Sequence, residues 1–215
     1  RLGLSFIDLA SPHWFDRDPA LAWGFYGHRT NLYRATVPHR GFSLLIDWIK
    51  RYDLDHFVIT SNVDGQFQKA GYSEERILEV HGSIHHLQCL SPCGNDIWDN
   101  QETIPVDLQT MRAQHVPGCC NCSQPARPNI LMFGDWNWIS TRNENQQYRM
   151  GEWLTENRGA SIVIVECGAG TGVPTVRMTS ESIVSRNNAA LIRINVREPR
   201  VPGGQIGLPM GALDA

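Results

Sequence analysis

At 215 residues with 41% hydrophobic composition, the chain has the length of one ordinary domain, or one domain with a small insert, and enough apolar side chains for a sizeable core. A net charge of −3 and an isoelectric point near 6.2 leave no basic footprint for direct nucleic-acid binding. No apolar run reaches the roughly 18–20 residues of a membrane span, and no secretory signal opens the sequence, so neither membrane nor export is expected.

Core-like sequence begins at once after Arg1 with no initiator Met, which reads as a fragment, a processed chain or one with residues upstream. Large apolar side chains crowd residues 5–35, and Asp18-Pro19 predicts a capped helix start, so this region reads as helices packing aromatic faces. Pro38-His39 opens a second amphipathic helix carrying Phe42, Leu45, Ile46 and Ile49 at helical spacing. That helix is expected to pack on a sheet, with His39 capping its start. The apolar run Phe57-Val58-Ile59-Thr60 predicts a buried strand, ending in the polar turn Ser61-Asn62-Val63-Asp64-Gly65. In an open α/β sheet, side chains just past a strand's carboxyl end face the ligand crevice. A second short run, Ile77-Leu78-Glu79-Val80, delivers His81-Gly82-Ser83 to the same edge. Asn62, Asp64 and His81 together mark a candidate site. Taken singly, Asp64-Gly65 is also a good turn, and His81 before a glycine also reads as a loop-satisfied core histidine.

Periodicity fades over residues 84–128, where polar residues, Gly, Pro and Cys dominate, and the expectation is a module held by metal rather than by a core. Cys89-x3-Cys93, a gap of 25 residues and Cys119-x2-Cys122 supply two chelating pairs for one tetrahedral Zn²⁺. Four thiolates leave no open coordination position, so the predicted role is structural, and Cys120 is spare. Clustered rather than dispersed cysteines favour metal in a reducing cytoplasm over a disulfide framework. Strand pattern resumes at Ile130-Leu131-Met132-Phe133, and Trp136 and Trp138 read as core, with shaping of a binding tunnel as the alternative. A helix is predicted over 147–154. Ser161-Ile162-Val163-Ile164-Val165 reads as a strand at the centre of a parallel sheet and runs into Gly168-Ala169-Gly170-Thr171-Gly172. Another helix (179–187), a strand (190–195) ending at Asn195, and a Gly/Pro-rich tail read as loop (197–215) complete the chain. Strands alternating with helices predict an α/β fold with a doubly wound parallel sheet.

Residues TSNVDGQFQKAG followed by EVHGS resemble the sirtuin signature, a TQNID-type motif followed by HGS. The resemblance continues in order through the cysteine cluster, Arg127-Pro128 with Phe133-Gly134-Asp135, Gly168-Ala169-Gly170-Thr171 and Ile194-Asn195, so it spans nearly the whole chain and suggests a divergent bacterial-type member. It implies a Rossmann-like NAD-binding domain at 41–83 and 129–215, a zinc-binding module at 84–128, and the helical part of a small domain at 1–40. The implied activity is NAD-dependent removal of acyl (acetyl) groups from lysine side chains of proteins or peptides, giving nicotinamide and O-acyl-ADP-ribose, with NAD as co-substrate and structural Zn²⁺. ADP-ribosyl transfer or NAD hydrolysis is the alternative. By resemblance His81 is the catalytic base, Asn62 and Asp64 surround nicotinamide and its ribose, and Ser61, Gly168, Gly170, Thr171 and Asn195 contact NAD. Met132, Phe133 and Gly134 would pair with the substrate peptide. Departures are Ser61 for the family's Gln, GAGTG for a GTS-type sequence, and Asp135 for Glu. The GAG-type loop and DFR-type motif with which sirtuins begin do not occur here, and a polypeptide starting at Arg1 is expected to bind NAD poorly.

Overall fold

A computed structural model describes residues 6–215. Helices α1 (Phe6–Leu9), α2 (His13–Arg17), α3 (Pro19–Ala35) and α4 (Arg40–Arg51) come first, followed by strand β1 (Val58–Thr60) and short helix α5 (Gln66–Lys69). Strands β2 (Ile77–Glu79), β3 (Gly82–Cys89), β4 (Ile97–Asp99), β5 (Val106–Asp107), β6 (Arg112–Ala113) and β7 (Ala126–Ile130) lead to α6 (Thr141–Glu156). The chain closes with β8 (Ile162–Cys167), α7 (Thr175–Arg186), β9 (Ala189–Ile194) and β10 (Ile206–Leu208).

Two compact units result, and their boundary falls within α6. The first runs to Pro38 and adds Asn62–Gly71 and His81–Gln146. Its α3 starts as the sequence requires: Pro19 occupies the first turn and the Asp18 carboxylate accepts from Leu21 N–H at 3.2 Å. Phe15, Trp23, Phe25 and Tyr26 pack with Ile84, Leu87, Ile104, Ala113, Ile130 and Met132 into one core. The Trp23 indole N–H donates to the Ala126 carbonyl at 2.9 Å, tying α3 to β7. Gly24 is required by close packing, because a Cβ there would lie 1.8 Å from the Met111 carbonyl oxygen. Strand β3 is the spine of this unit, antiparallel to β4 on one side and β7 on the other.

Residues 84–128 therefore do not rely on metal alone, since Ile84, Leu87, Ile104 and Ala113 belong to the core. Their periodicity is obscured by a register shift between Ser83 and Leu87, which puts two half-buried histidines in the middle of β3.

The second unit takes His39–Ser61, Tyr72–Val80 and the chain from Gln147 onward. Its strands are parallel and come as two pieces, β1–β2 and β10–β9–β8. Here the expected order changes. Strand β8 lies at an edge among the described residues, with Val163 63% exposed, and β9 takes the middle. The tail puts β9 in the middle, because Ile206-Gly207-Leu208, expected as loop, returns as β10 on its other side, while β8 pairs with β9 alone among the described residues. An apolar run signals strand but not its rank in the sheet. His39 caps α4 as expected, its Nδ1 accepting from Gly41 N–H at 3.0 Å. No residue of α4 is fully buried, however, and Leu44 and Trp48 are exposed.

Candidate functional site

In the first unit, β3 assembles the residues of the signature. The Asn62-Val63-Asp64 turn is laid against it by two bonds: Ile84 N–H donates to the Val63 carbonyl at 2.9 Å, and His85 Nε2 lies 2.9 Å from the Asp64 carbonyl. A carbonyl only accepts, so that His85 nitrogen carries the proton. The Asp64 carboxylate is oriented in turn, accepting from Gln66 N–H at 3.1 Å at the start of α5. His81 stands half-buried immediately before β3, its carbonyl accepting from Leu131 N–H at 3.0 Å. The glycine after it has no substitute. Gly82 sits at φ +78, and a Cβ there would come 2.1 Å from the Asn129 carbonyl oxygen of β7.

At the far end of β3 the four thiols Cys89, Cys93, Cys119 and Cys122 all lie within 4.8 Å of one another. Cys89 and Cys122 sulfurs are 3.7 Å apart, as are those of Cys93 and Cys119. A tetrahedral ion with Zn–S bonds of about 2.3 Å separates its sulfurs by roughly 3.8 Å, so this donor set fits zinc and fills its coordination. Cys120 stands exposed outside the cluster. His115 is engaged elsewhere, with Glu102 at 2.8 Å.

The segment after β7 is set by a buried ion pair. Arg127 and Asp135 bond through both terminal guanidinium nitrogens, and both side chains are wholly buried. Asp135 also accepts from Met132 N–H and Asn137 N–H, each at 3.2 Å. Phe133 N–H donates to the Ala10 carbonyl at 3.1 Å. Met132 points into the core, whereas Leu131 and Phe133 on either side are 38% and 43% exposed. Trp136 is 96% exposed, which corrects its reading as core: Asp135 turns inward to Arg127, and the next side chain is directed out.

In the second unit a separate set gathers at the carboxyl ends of β8 and β9. Gly168 N–H donates to the Ile194 carbonyl at 2.9 Å, and Asn195 N–H to the Leu208 carbonyl at 3.0 Å. The Asn195 side chain donates to the Ala169 carbonyl at 3.1 Å and accepts from Arg197 and Glu198 N–H groups at 3.0 and 2.9 Å. Glu198 closes the network, its carboxylate accepting from Thr171 N–H at 2.9 Å and from the Thr171 hydroxyl. That hydroxyl bond, with the Thr171 amide, holds the Glu198 carboxyl below its ordinary value. Arg177 donates to the carbonyls of Ala169, Glu198 and Arg200, at 3.2, 3.1 and 2.7 Å. Beneath lies a buried pair, Arg193 with Glu166, placed directly opposite each other on β9 and β8. Ser61 is half-buried at the end of β1 in this same unit.

A family model described as the Sir2 family matches residues 4–152. The chain belongs to the Sir2 family. A relative from Leptospira interrogans serogroup Icterohaemorrhagiae serovar copenhageni, named NAD-dependent protein deacylase, is 34% identical over 128 residues, 60% of this chain and 48% of its own length. The chain thus spans about half the length of the first curated relatives it matches. A solved Sir2 homologue in complex with NAD superposes with TM-score 0.71 at 21% identity, over 97% of this chain and 73% of that one. Sir2 bound to acetylated peptide superposes with TM-score 0.65 at 20% identity, over 96% and 79%. The fold class is accordingly that of Sir2, a Rossmann-like α/β fold with parallel strands and the four-cysteine cluster.

In this Sir2 chain the sequence pattern missed Arg177, Arg193 and Glu198. Arg193 did leave a signal, a charge in the middle of an apolar strand that needs a buried partner. Glu198 and Arg177 left none, because their partners are backbone groups and a threonine brought near only by the turn after β9.

Proposed function

We propose that this Sir2 chain carries out NAD-dependent removal of acyl groups from lysine side chains of proteins, consuming NAD and water and releasing nicotinamide, free lysine and O-acyl-ADP-ribose. The observation that supports it most is the attachment of the Asn62-Val63-Asp64 turn to β3, the strand that His81 precedes. The Asn62 amide oxygen and the Asp64 carboxylate stabilise positive charge developing on the sugar as its bond to nicotinamide lengthens. His81 accepts a proton from a ribose hydroxyl, a task for an imidazole neutral near pH 7. Gly168 fits the nucleotide end, since nothing lies within 4 Å of where its Cβ would be and the backbone there is open to close approach. Gly170, Thr171 and Asn195 complete that end, with Ser61 as a further contact. NAD, when bound, supplies an activated ribosyl carbon. Zinc would be held by Cys89, Cys93, Cys119 and Cys122 in a structural role. Met132, Phe133 and Gly134 form the segment along which the acylated peptide lies. Free thiols suit a reducing cytoplasm. No helix among the described residues is long and apolar enough to cross a membrane.

The test is to incubate the full natural protein with an acetyl-lysine peptide and NAD. NAD-dependent loss of acetyl is expected, with His81→Ala lowering kcat by about 10²–10⁴-fold while the unfolding midpoint is retained. Nicotinamide release that needs no acyl peptide would move the reading to ADP-ribosyl transfer or NAD hydrolysis. Absence of both would end it.

A further inference from the structure

The segment Leu131 to Trp136 offers its surroundings a particular chemistry. The N–H groups of residues 131, 132 and 133 are each committed within the chain, to the His81 carbonyl, the Asp135 carboxylate and the Ala10 carbonyl. What these residues present outward is apolar side chain. Burial alternates along them, Leu131 and Phe133 out and Met132 in, as an extended strand requires. Trp136, just past the turn, is 96% exposed. An indole so exposed leaves about 150–250 Å² of mostly apolar area in water, a standing cost unless something covers it. Its backbone is held in place. The buried Arg127–Asp135 pair immediately before it, with the bond to Asn137 N–H immediately after, fixes the backbone on both sides of Trp136. An exposed indole on a fixed backbone offers a large, stiff apolar contact with only two side-chain torsions to lose on binding. No formal charge of the turn is left to choose a charged partner, since Asp135 is neutralised by Arg127.

We infer that Trp136, with Leu131 and Phe133, selects acyl-lysine peptides carrying a large apolar or aromatic residue beside the acylated lysine. The inference rests on the deacylase reading above and names the substrate class of that activity. Trp136 is a specificity residue outside the acid–base chemistry, so its loss should alter peptide preference and leave the basal reaction alone.

The experiment compares wild type, Trp136→Ala and Trp136→Phe on four substrates: a capped acetyl-lysine without flanking residues, and peptides with phenylalanine, alanine or arginine next to the acetyl-lysine. Because the side chain is exposed, both variants should fold as wild type does. Wild type is expected to favour the phenylalanine peptide by about tenfold in kcat/KM, through KM. Trp136→Ala should abolish that preference, Trp136→Phe should keep most of it, and all three should turn over the capped acetyl-lysine equally. Equal treatment of all peptides by wild type would overturn the inference. So would a preference for arginine, or a phenylalanine preference that survives in Trp136→Ala. If wild type turns over none of the four substrates, the deacylase reading itself has failed.

Discussion

Two loops of this protein are immobilised by opposite means. The 131–137 loop is pinned from beneath, by an arginine and an aspartate that never meet water. The 168–172 loop is pinned from its open side, by Glu198 reaching over Thr171 and by Arg177 gathering three carbonyls. Buried pairing gives a fixed platform whose failure is a folding failure, because removing one partner strands a charge in the interior. Peripheral pairing costs little to break and can yield to a ligand that brings better partners. The first loop presents apolar side chains outward, which suits the peptide proposed for it. The second carries the hydroxyl and charges of Thr171, Glu198 and Arg177, which suit the nucleotide proposed for it.

The contrast can be broken most forcefully at the metal. Structural zinc binding in small modules is on the scale of about 10–16 kcal/mol. Cys119→Ser, or chelation of the wild type, is expected to release one zinc per chain and to loosen β3 and β7, on which the 131–137 loop hangs. Loss of native-state amide protection should concentrate in residues 82–137 and spare 162–208. Uniform loss across both stretches would show that the two loops do not have separate supports.

Next comes Asp135→Asn. It leaves Arg127 buried and unpaired, and a loss of about 3–5 kcal/mol is expected in denaturant unfolding. A loss below about 1 kcal/mol would place this pair among ordinary surface bridges and make the two loops' supports alike.

The smallest effect is predicted at Glu198→Gln. A neutral amide oxygen still accepts from Thr171, at roughly half the strength, so the KM for NAD should shift by less than tenfold with no change in the unfolding midpoint. The pH dependence has a definite sign. Thr171 holds the Glu198 carboxyl below its ordinary value of 4.5, so the charged contact is fully present above that value. It is lost only as pH falls through the lowered pKa, and no break in nucleotide KM from this group is expected above 4.5.

Much of the fold could be read along the chain because its signals are local. The Asp18 cap, the His39 cap, the β1 and β9 strands and the two cysteine pairs each follow from residues a few positions apart. For the candidate site, the structure attaches the Asn62–Asp64 turn to β3, which His81 precedes, while Ser61, Gly168, Gly170, Thr171 and Asn195 belong to the other unit. Pairing misled where it depends on distant chain. The central rank of β9 was decided by the return of residues 206–208, and the core within 84–128 was hidden by the register shift in β3.

By itself the amino-acid sequence determined which residues turn, cap, chelate or stay apolar, because backbone preference and side-chain chemistry act over a few bonds. Only the tertiary structure decided what each charge answers to: Asp135 to Arg127, Glu166 to Arg193, Glu198 to Thr171. A charge is satisfied by whatever group the fold places within reach, and that distance is set by packing, with no imprint on the residues in between.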